Sequence, residues 1–342
     1  MTSTDPAFQS FDRAWRCWIA DNLVQGSPAE SLVRVLVDNG FAAGDARREV
    51  ATAEASPFLD VARRLGHRVA KRDWSLEVQR KTRRLRNEDR ASIDRHDRLD
   101  RATFLRDYYS ANRPVVVTGR MADWRAMRWT PEFLAQRFAD REVQVQTRRL
   151  ANPRYESESS RHHETMRFAD FMRRVMSGQE SNDIYMTANN SGANAPALRE
   201  LWDDIVQVPE YLDDRDPANL GFFWIGPAGT ITPTHHDLTN NFMAQILGRK
   251  RVHLVDGLDI PRMYNSLHVY SEVDLENIDY NRFPLMRGVN VRSYDLHPGE
   301  LLFLPVGWWH QVRSLDLSIT VTLTNFVFDN DFHSMYSTFQ EV

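Results

Sequence analysis

Over the first ninety residues the apolar positions recur at helical spacing. Leu32, Val33, Leu36 and Val37 fall on one stripe, the signature of an amphipathic helix. Ahead of them, Ser27-Pro28-Ala29-Glu30 predicts a capping box in which Ser27 caps, Glu30 reaches back and Pro28 takes the first helical position. Asn39-Gly40 supplies the stop, because glycine tolerates the left-handed conformation that ends a helix. Ser56-Pro57 repeats the start signal before Phe58, Leu59, Val61, Ala62 and Leu65. Residues 8 to about 88 therefore read as helical. From Lys71 to Arg101 the chain is densely charged with both signs, which predicts a solvated helix and linker. The competing reading is a basic face of Arg80, Lys81, Arg83, Arg84 and Arg86 that grips an acidic partner.

After about residue 100 the period changes. Short β-rich runs are separated by Gly, Pro and Asn: Pro114–Val117, Glu142–Val145, Gly221–Ile225, Phe242–Leu247, Arg251–Val255, Leu301–Leu304 and Ser318–Phe328. Many short strands at this spacing predict a sandwich or barrel. The run Asn152–Glu164, rich in Ser, Glu and His, reads as a loop and a candidate for substrate contact.

Composition narrows the picture. A chain of 342 residues with nine Trp can build a sizeable core, and its length suits one large domain plus a smaller one. A net charge of −4 offers no global basic field and argues against nucleic acid as partner. The single cysteine, Cys17, excludes an internal disulfide and a Cys-based metal site, fits a reducing cytoplasm, and reads as a small buried hydrophobe. The N-terminal stretch lacks the basic and apolar regions of a signal peptide, and no apolar run reaches membrane-spanning length.

The candidate chemistry lies in Thr232-Pro233-Thr234-His235-His236-Asp237. Residues two apart on an extended strand share a face, so His235 and Asp237 can aim at one ion. His310, in Trp308-Trp309-His310-Gln311-Val312, is the best candidate for the third ligand, although His236, His253, His268 and His297 also remain open. Two His and one carboxylate with free coordination positions form the facial triad of non-haem Fe(II) oxygenases. Thr320, Thr322 and Thr324 alternate with Ile319, Val321 and Leu323, and Asn325 shares the odd-numbered face, which predicts that Asn325 points into the barrel. Lys250 shares a face with Val252 and Leu254; an inward lysine needs an anion, and the distal carboxylate of 2-oxoglutarate is one.

With these segments, Asn241-Phe242-Met243-Ala244-Gln245-Ile246-Leu247-Gly248-Arg249-Lys250, Pro298-Gly299-Glu300-Leu301-Leu302-Phe303-Leu304-Pro305 and Thr320-Val321-Thr322-Leu323-Thr324-Asn325-Phe326 resemble, in order and spacing, the JmjC or cupin-like oxygenases. Among them the resemblance is to the asparaginyl hydroxylase that inhibits hypoxia-inducible factor, over roughly Leu99 to Phe328. It implies a mainly β fold, a double-stranded β-helix (jelly-roll) with flanking helices, as an oxygenase domain over 96–342 after a helical docking or dimerisation region over 1–95. It further implies that His235, Asp237 and His310 bind Fe(II), and that Lys250, with Thr232 and Tyr185, holds 2-oxoglutarate. Asn241 and Asn325 would line the cofactor end, and Trp308 and Trp309 would wall the site. The reaction consumes 2-oxoglutarate and O2.

The expected function is hydroxylation of a peptide or protein side chain, with a ribosomally made precursor peptide as one form of substrate and a homodimer through either terminal region as one form of assembly. The same chemistry on an N-methyl-lysine or an RNA base is the alternative. A cupin-like binding module without catalysis is the alternative of another class.

Overall fold

A computed structural model describes residues 10–85, 92–206, 208–213 and 221–338; Arg86, a member of the expected basic face, lies outside them. The chain divides into two compact units, Met1–Thr82 and Arg83–Val342. Among the described residues no helix is long and apolar enough to cross a membrane.

The first unit is built from helices α1 (Arg13–Val24), α2 (Ala29–Asp38), α3 (Ala43–Glu54) and α4 (Pro57–Leu85). Its core is wholly apolar: Ile19, Leu23, Leu32, Val33, Leu36, Phe41, Ala46, Val50 and Leu59. The expected capping box at α2 does not form. Pro28 itself is the extended N-cap residue and no side chain caps the helix, while Glu30 sits in the first turn, where its charge suits the positive end of the helix. The stop is as expected. Gly40 takes φ +91°, Phe41 N–H returns to Leu36 O at 3.1 Å, and the Phe41 ring enters the core stacked on Phe11 at 4.2 Å. Cys17 is exposed rather than buried, because Ile19 and Leu23 claim the inward stripe of α1 and Cys17 falls off it. Two members of the expected basic face are spent internally: Arg80 is buried and meets Glu77 at 3.5 Å, and Arg83 bonds Asp256 at 2.6 Å.

The second unit is a double-stranded β-helix with flanking helices. Its strands are β1 (Asp94–Asp97), β2 (Val115–Thr118), β3 (Glu142–Thr147), β4 (His163–Arg167), β5 (Ile184–Tyr185), β6 (Gly221–Gly226) and β7 (Ile231–His236). They continue with β8 (Asn241–Leu247), β9 (Lys250–Val255), β10 (Arg292–Leu296), β11 (Leu301–Leu304), β12 (Trp309–Ser314) and β13 (Ser318–Leu323). Three sheets result, of order β1-β2-β11-β8-β13-β6, β10-β9-β12-β7 and β4-β3-β5. The run expected over Ser318–Phe328 stops at Leu323, so Thr324 and Asn325 lie beyond the ladder.

Alternation sorts the side chains. From the six-stranded sheet, Phe242, Ala244, Ile246, Ile319, Val321 and Leu323 face outward into the main core with Phe104, Phe303 and Phe326. Met243, Leu302 and Leu304 face the other way, where they meet Val252, Leu254 and Val312 of the four-stranded sheet. The space between the two sheets thus has an apolar floor, and the polar residues above it make the site.

Candidate active site

His235 is the penultimate residue of β7, Asp237 follows in the turn after it, and His310 comes from β12, whose backbone pairs with β7 so that His310 lies opposite His235. The ring centroids of the two histidines are 4.2 Å apart. His235 Nε2 lies 3.7 Å from Asp237 Oδ1, and His310 Nε2 lies 3.9 Å from Asp237 Oδ2. One ligand atom from each of the three lies within 4.8 Å of the others. His236, one residue away, points to the opposite side, edge-on to Trp309 at 4.7 Å. Of the alternatives open in the sequence, none joins this cluster.

The donor set fits a divalent cation. His235 Nδ1 contacts Pro233 O at 2.8 Å and His310 Nδ1 contacts Trp308 O at 3.0 Å, which fixes the proton on Nδ1 and leaves each Nε2 lone pair bare. Burial, reinforced by the neighbouring His310, pushes the His235 imidazole down to about 4, so it is neutral at pH 7. Asn241 Nδ2 donates to Asp237 Oδ2 at 2.6 Å and orients the carboxylate.

Thr232 and His235 are three apart, yet both line the same cavity. The pairing of β12 with β7 explains this: His310 stands opposite His235 but Val312 opposite Thr232, a register shift that inserts one extra residue into β7. The residue turned away is Thr234, whose Oγ1 bonds Gln311 Oε1 at 2.8 Å.

The cavity measures about 230 Å³, roughly eight times the share of one water molecule in the liquid. His235, Asp237, His310, Thr232, Tyr185, Asn241 and Lys250 all line it. Lys250 starts β9 and is 1% exposed; its Nζ donates to Tyr185 Oη at 2.9 Å. Burial alone brings this ammonium down to about 7, and pushes the Tyr185 phenol up. A buried ammonium with one neutral partner and an open cavity before it is a place for an anion. Gly226 permits the arrangement, since a Cβ there would come within 2.7 Å of the Tyr185 ring.

Three expectations are corrected. Asn325 does not line the cavity; it lies past the end of β13, where its Nδ2 donates to Asp213 O. The inward face of β13 is the even-numbered one, and Thr322 and Thr324 line the cavity, because Ile319, Val321 and Leu323 belong to the outer core. Neither tryptophan walls the cavity. Trp308 packs in the apolar floor with its Nε1 donating to Asn112, and Trp309, alternating with His310, faces a separate cluster with Val255, Met263 and Phe283.

Sequence reasoning missed several wall residues, among them Trp224, Tyr270, Asn189 and Glu156. Glu156 is the informative one, and it comes from the loop singled out over Asn152–Glu164. Its side chain is 6% exposed. Oε1 accepts from Asn189 Nδ2 at 2.8 Å, and Oε2 accepts from the fully buried Arg149 at 3.2 Å. The Arg149 guanidinium lies over Tyr155 at 4.3 Å and Tyr185 at 5.1 Å.

Comparison with known proteins places the site in context. Residues 101–334 match the family described as "Cupin-like domain". The chain is 31% identical over 233 residues to "Lysine-specific demethylase 8" of Xenopus tropicalis, covering 64% of this chain and 49% of that protein. It is 33% identical over 242 residues to "Lysine-specific demethylase JMJ30" of Arabidopsis thaliana, covering 67% and 54%. It is 27% identical over 239 residues to "tRNA wybutosine-synthesizing protein 5" of Gallus gallus, covering 66% and 74%. The chain thus spans about half the length of the first two relatives.

Proposed function

Because the chain belongs to the cupin-like JmjC family, whose members are oxygenases that use Fe(II), 2-oxoglutarate and O2, we propose that it hydroxylates a side chain of a polypeptide, with His235, Asp237 and His310 as the iron ligands. Lys250, Tyr185 and Thr232 hold the distal carboxylate of 2-oxoglutarate. When bound, iron and 2-oxoglutarate would supply the oxidising power, with one oxygen atom of O2 ending in a substrate C–H bond and the other in succinate as carbon dioxide leaves. The protein's own residues orient and exclude water. The Nδ1 contacts of the two histidines and the Asn241 amide hold the three ligands in place. The apolar floor of Met243, Leu304 and Val312 keeps the closed end of the cavity dry.

The observation that carries the polypeptide reading is Glu156. The charge of this carboxylate is met by Arg149, and its remaining lone pairs at the cavity wall favour a substrate side chain that donates hydrogen bonds. The relatives named as lysine-specific demethylases favour a second reading with the same machinery, in which the attacked carbon is an N-methyl group.

The test incubates the protein with Fe(II), ascorbate, 2-oxoglutarate and a library of peptides centred on Lys, N-methyl-Lys, Arg or Asn, with total tRNA in a parallel arm. Succinate release with a peptide mass gain of one oxygen is the expected result. Loss of a methylene with formaldehyde release moves the assignment to demethylation. Oxidation confined to tRNA moves it to nucleic acid. Absence of 2-oxoglutarate turnover in every arm leaves a cupin-like binding module.

A further inference from the structure

Helix α4 departs from the rest of the first unit. Only Leu59 of its apolar side chains joins the core. Phe58, Val61, Leu65 and Val69, spaced three or four residues apart, form a second stripe that faces solvent, with Phe58 83% and Leu65 53% exposed. Beside it runs a stripe of cations, Arg64, Arg68, Lys71 and Arg72, all exposed. Among the described residues none of these four cations is in an ion pair. The two stripes adjoin on an open surface formed by side chains of α4 alone, Leu65, Arg68, Val69, Lys71, Arg72 and Ser75. The segment 63–84 carries nine Lys and Arg against two acidic residues, in a chain whose net charge is −4.

We infer that this face of α4 docks an acidic amphipathic helix of a partner polypeptide, whose apolar stripe covers Phe58, Val61, Leu65 and Val69 while its carboxylates meet Arg64, Arg68, Lys71 and Arg72. Charge and apolar surface together select this occupant. A phosphate backbone would use the cations but gain nothing from three turns of aliphatic and aromatic surface. A membrane-lying helix carries cations along both flanks of its apolar stripe, whereas here they line one flank. A second copy of α4 is disfavoured by its own charges. An antiparallel pair sets the cationic stripes against each other, and a parallel pair sets four cations against a flank with two acidic residues, Asp73 and Glu77, of which Glu77 already meets Arg80. A helix that presents Leu beside Glu satisfies both stripes at once, as paired amphipathic helices do.

The test measures binding to the 342-residue chain without iron or 2-oxoglutarate, so its outcome is independent of turnover. The probe is a fluorescein-labelled designed helix with Leu at every third and fourth position and Glu along one flank. Comparison probes are the same composition scrambled, poly-L-glutamate, poly(U) and vesicles of phosphatidylserine with phosphatidylcholine. The designed helix is expected to bind, with affinity weakened at least about tenfold by Leu65→Glu and by Arg68→Glu. Both positions are exposed, so circular dichroism should match the parent chain. If the designed helix does not bind, if the scrambled peptide or poly-L-glutamate binds as well, or if Leu65→Glu leaves binding unchanged, the inference fails. Tighter binding of poly(U) or vesicles that is lost in the same variants would also overturn it.

Discussion

In the barrel unit the polar side chains of Lys250, Gln245, Thr320 and His310 are buried, whereas the core of the helical unit is apolar throughout and leaves Phe58 and Leu65 in solvent. Both arrangements break the ordinary sorting of polar and apolar residues, in opposite directions, and the two exceptions mean different things. A buried polar group is tolerated only when something pairs with it. Gln245 and Thr320 pair with each other at 2.7 Å, which is a structural solution. Lys250 donates to the neutral Tyr185 hydroxyl beside an open cavity, and the proposed contact with 2-oxoglutarate rests on that arrangement. An exposed apolar stripe, by contrast, costs nothing in the fold and gains only when a partner covers it.

The sharpest way to break this contrast is at the triad. His310→Ala should reduce peptide-dependent succinate release to background and abolish Mn(II) binding measured by electron paramagnetic resonance. Retained turnover would remove the assignment of the barrel's buried polar residues to catalysis.

The next effect concerns Lys250. Lys250→Met should raise the 2-oxoglutarate Kd by about a hundredfold, the scale of a broken buried pair. The parent protein should also show a pH signature. Only the charged ammonium pairs with the dianion, and burial holds its pKa at about 7 instead of 10.5. The 2-oxoglutarate KM should therefore rise above pH 7, by up to about tenfold per unit, and Lys250→Met should flatten that dependence. The sign for folding is the reverse. Between pH 7 and 10.5 the unfolded chain holds the extra proton, so the ligand-free protein gains stability as pH rises through that window.

The smallest effects separate the two kinds of leucine in the helical unit. Leu36→Ala removes a fully buried side chain and should destabilise that unit by about 2–5 kcal/mol. Leu65→Gln, at an exposed site, should stay within about 0.5 kcal/mol. Chemical denaturation followed by tryptophan fluorescence would check both, and equal losses would mean that Leu65 is not free surface.

Most strands were legible because each carries its own period, and the Asn39-Gly40 stop because glycine's conformational freedom is local. The placement of His235 and Asp237 on one cavity was legible for the same reason, being set by two adjacent peptide units. Local reading failed where a partner strand or a neighbouring layer intervened. On β13 the sequence alternates clearly, but which face is inward depends on whether the helices or the opposing sheet take Ile319, Val321 and Leu323, and the outer core takes them. Asn325 was placed on the wrong face for this reason. Trp308 and Trp309 adjoin His310 in sequence, yet the turn and the alternation of β12 send both elsewhere.

By itself, then, the sequence determined the helix-then-strand organisation and the shared reach of His235 and Asp237, because these depend on short-range periodicity; that His310 and no other of the candidate histidines meets them was implied only by the family resemblance, and the pairing of β12 with β7 brings it there. Tertiary structure alone decided three things: that the extra residue in β7 turns Thr232 toward His235, that Glu156 swings from a loop 79 positions earlier into the wall beside it, and that Lys250 finds Tyr185 in its reach. Each is fixed by sheet register and packing between segments distant along the chain, which no local pattern encodes.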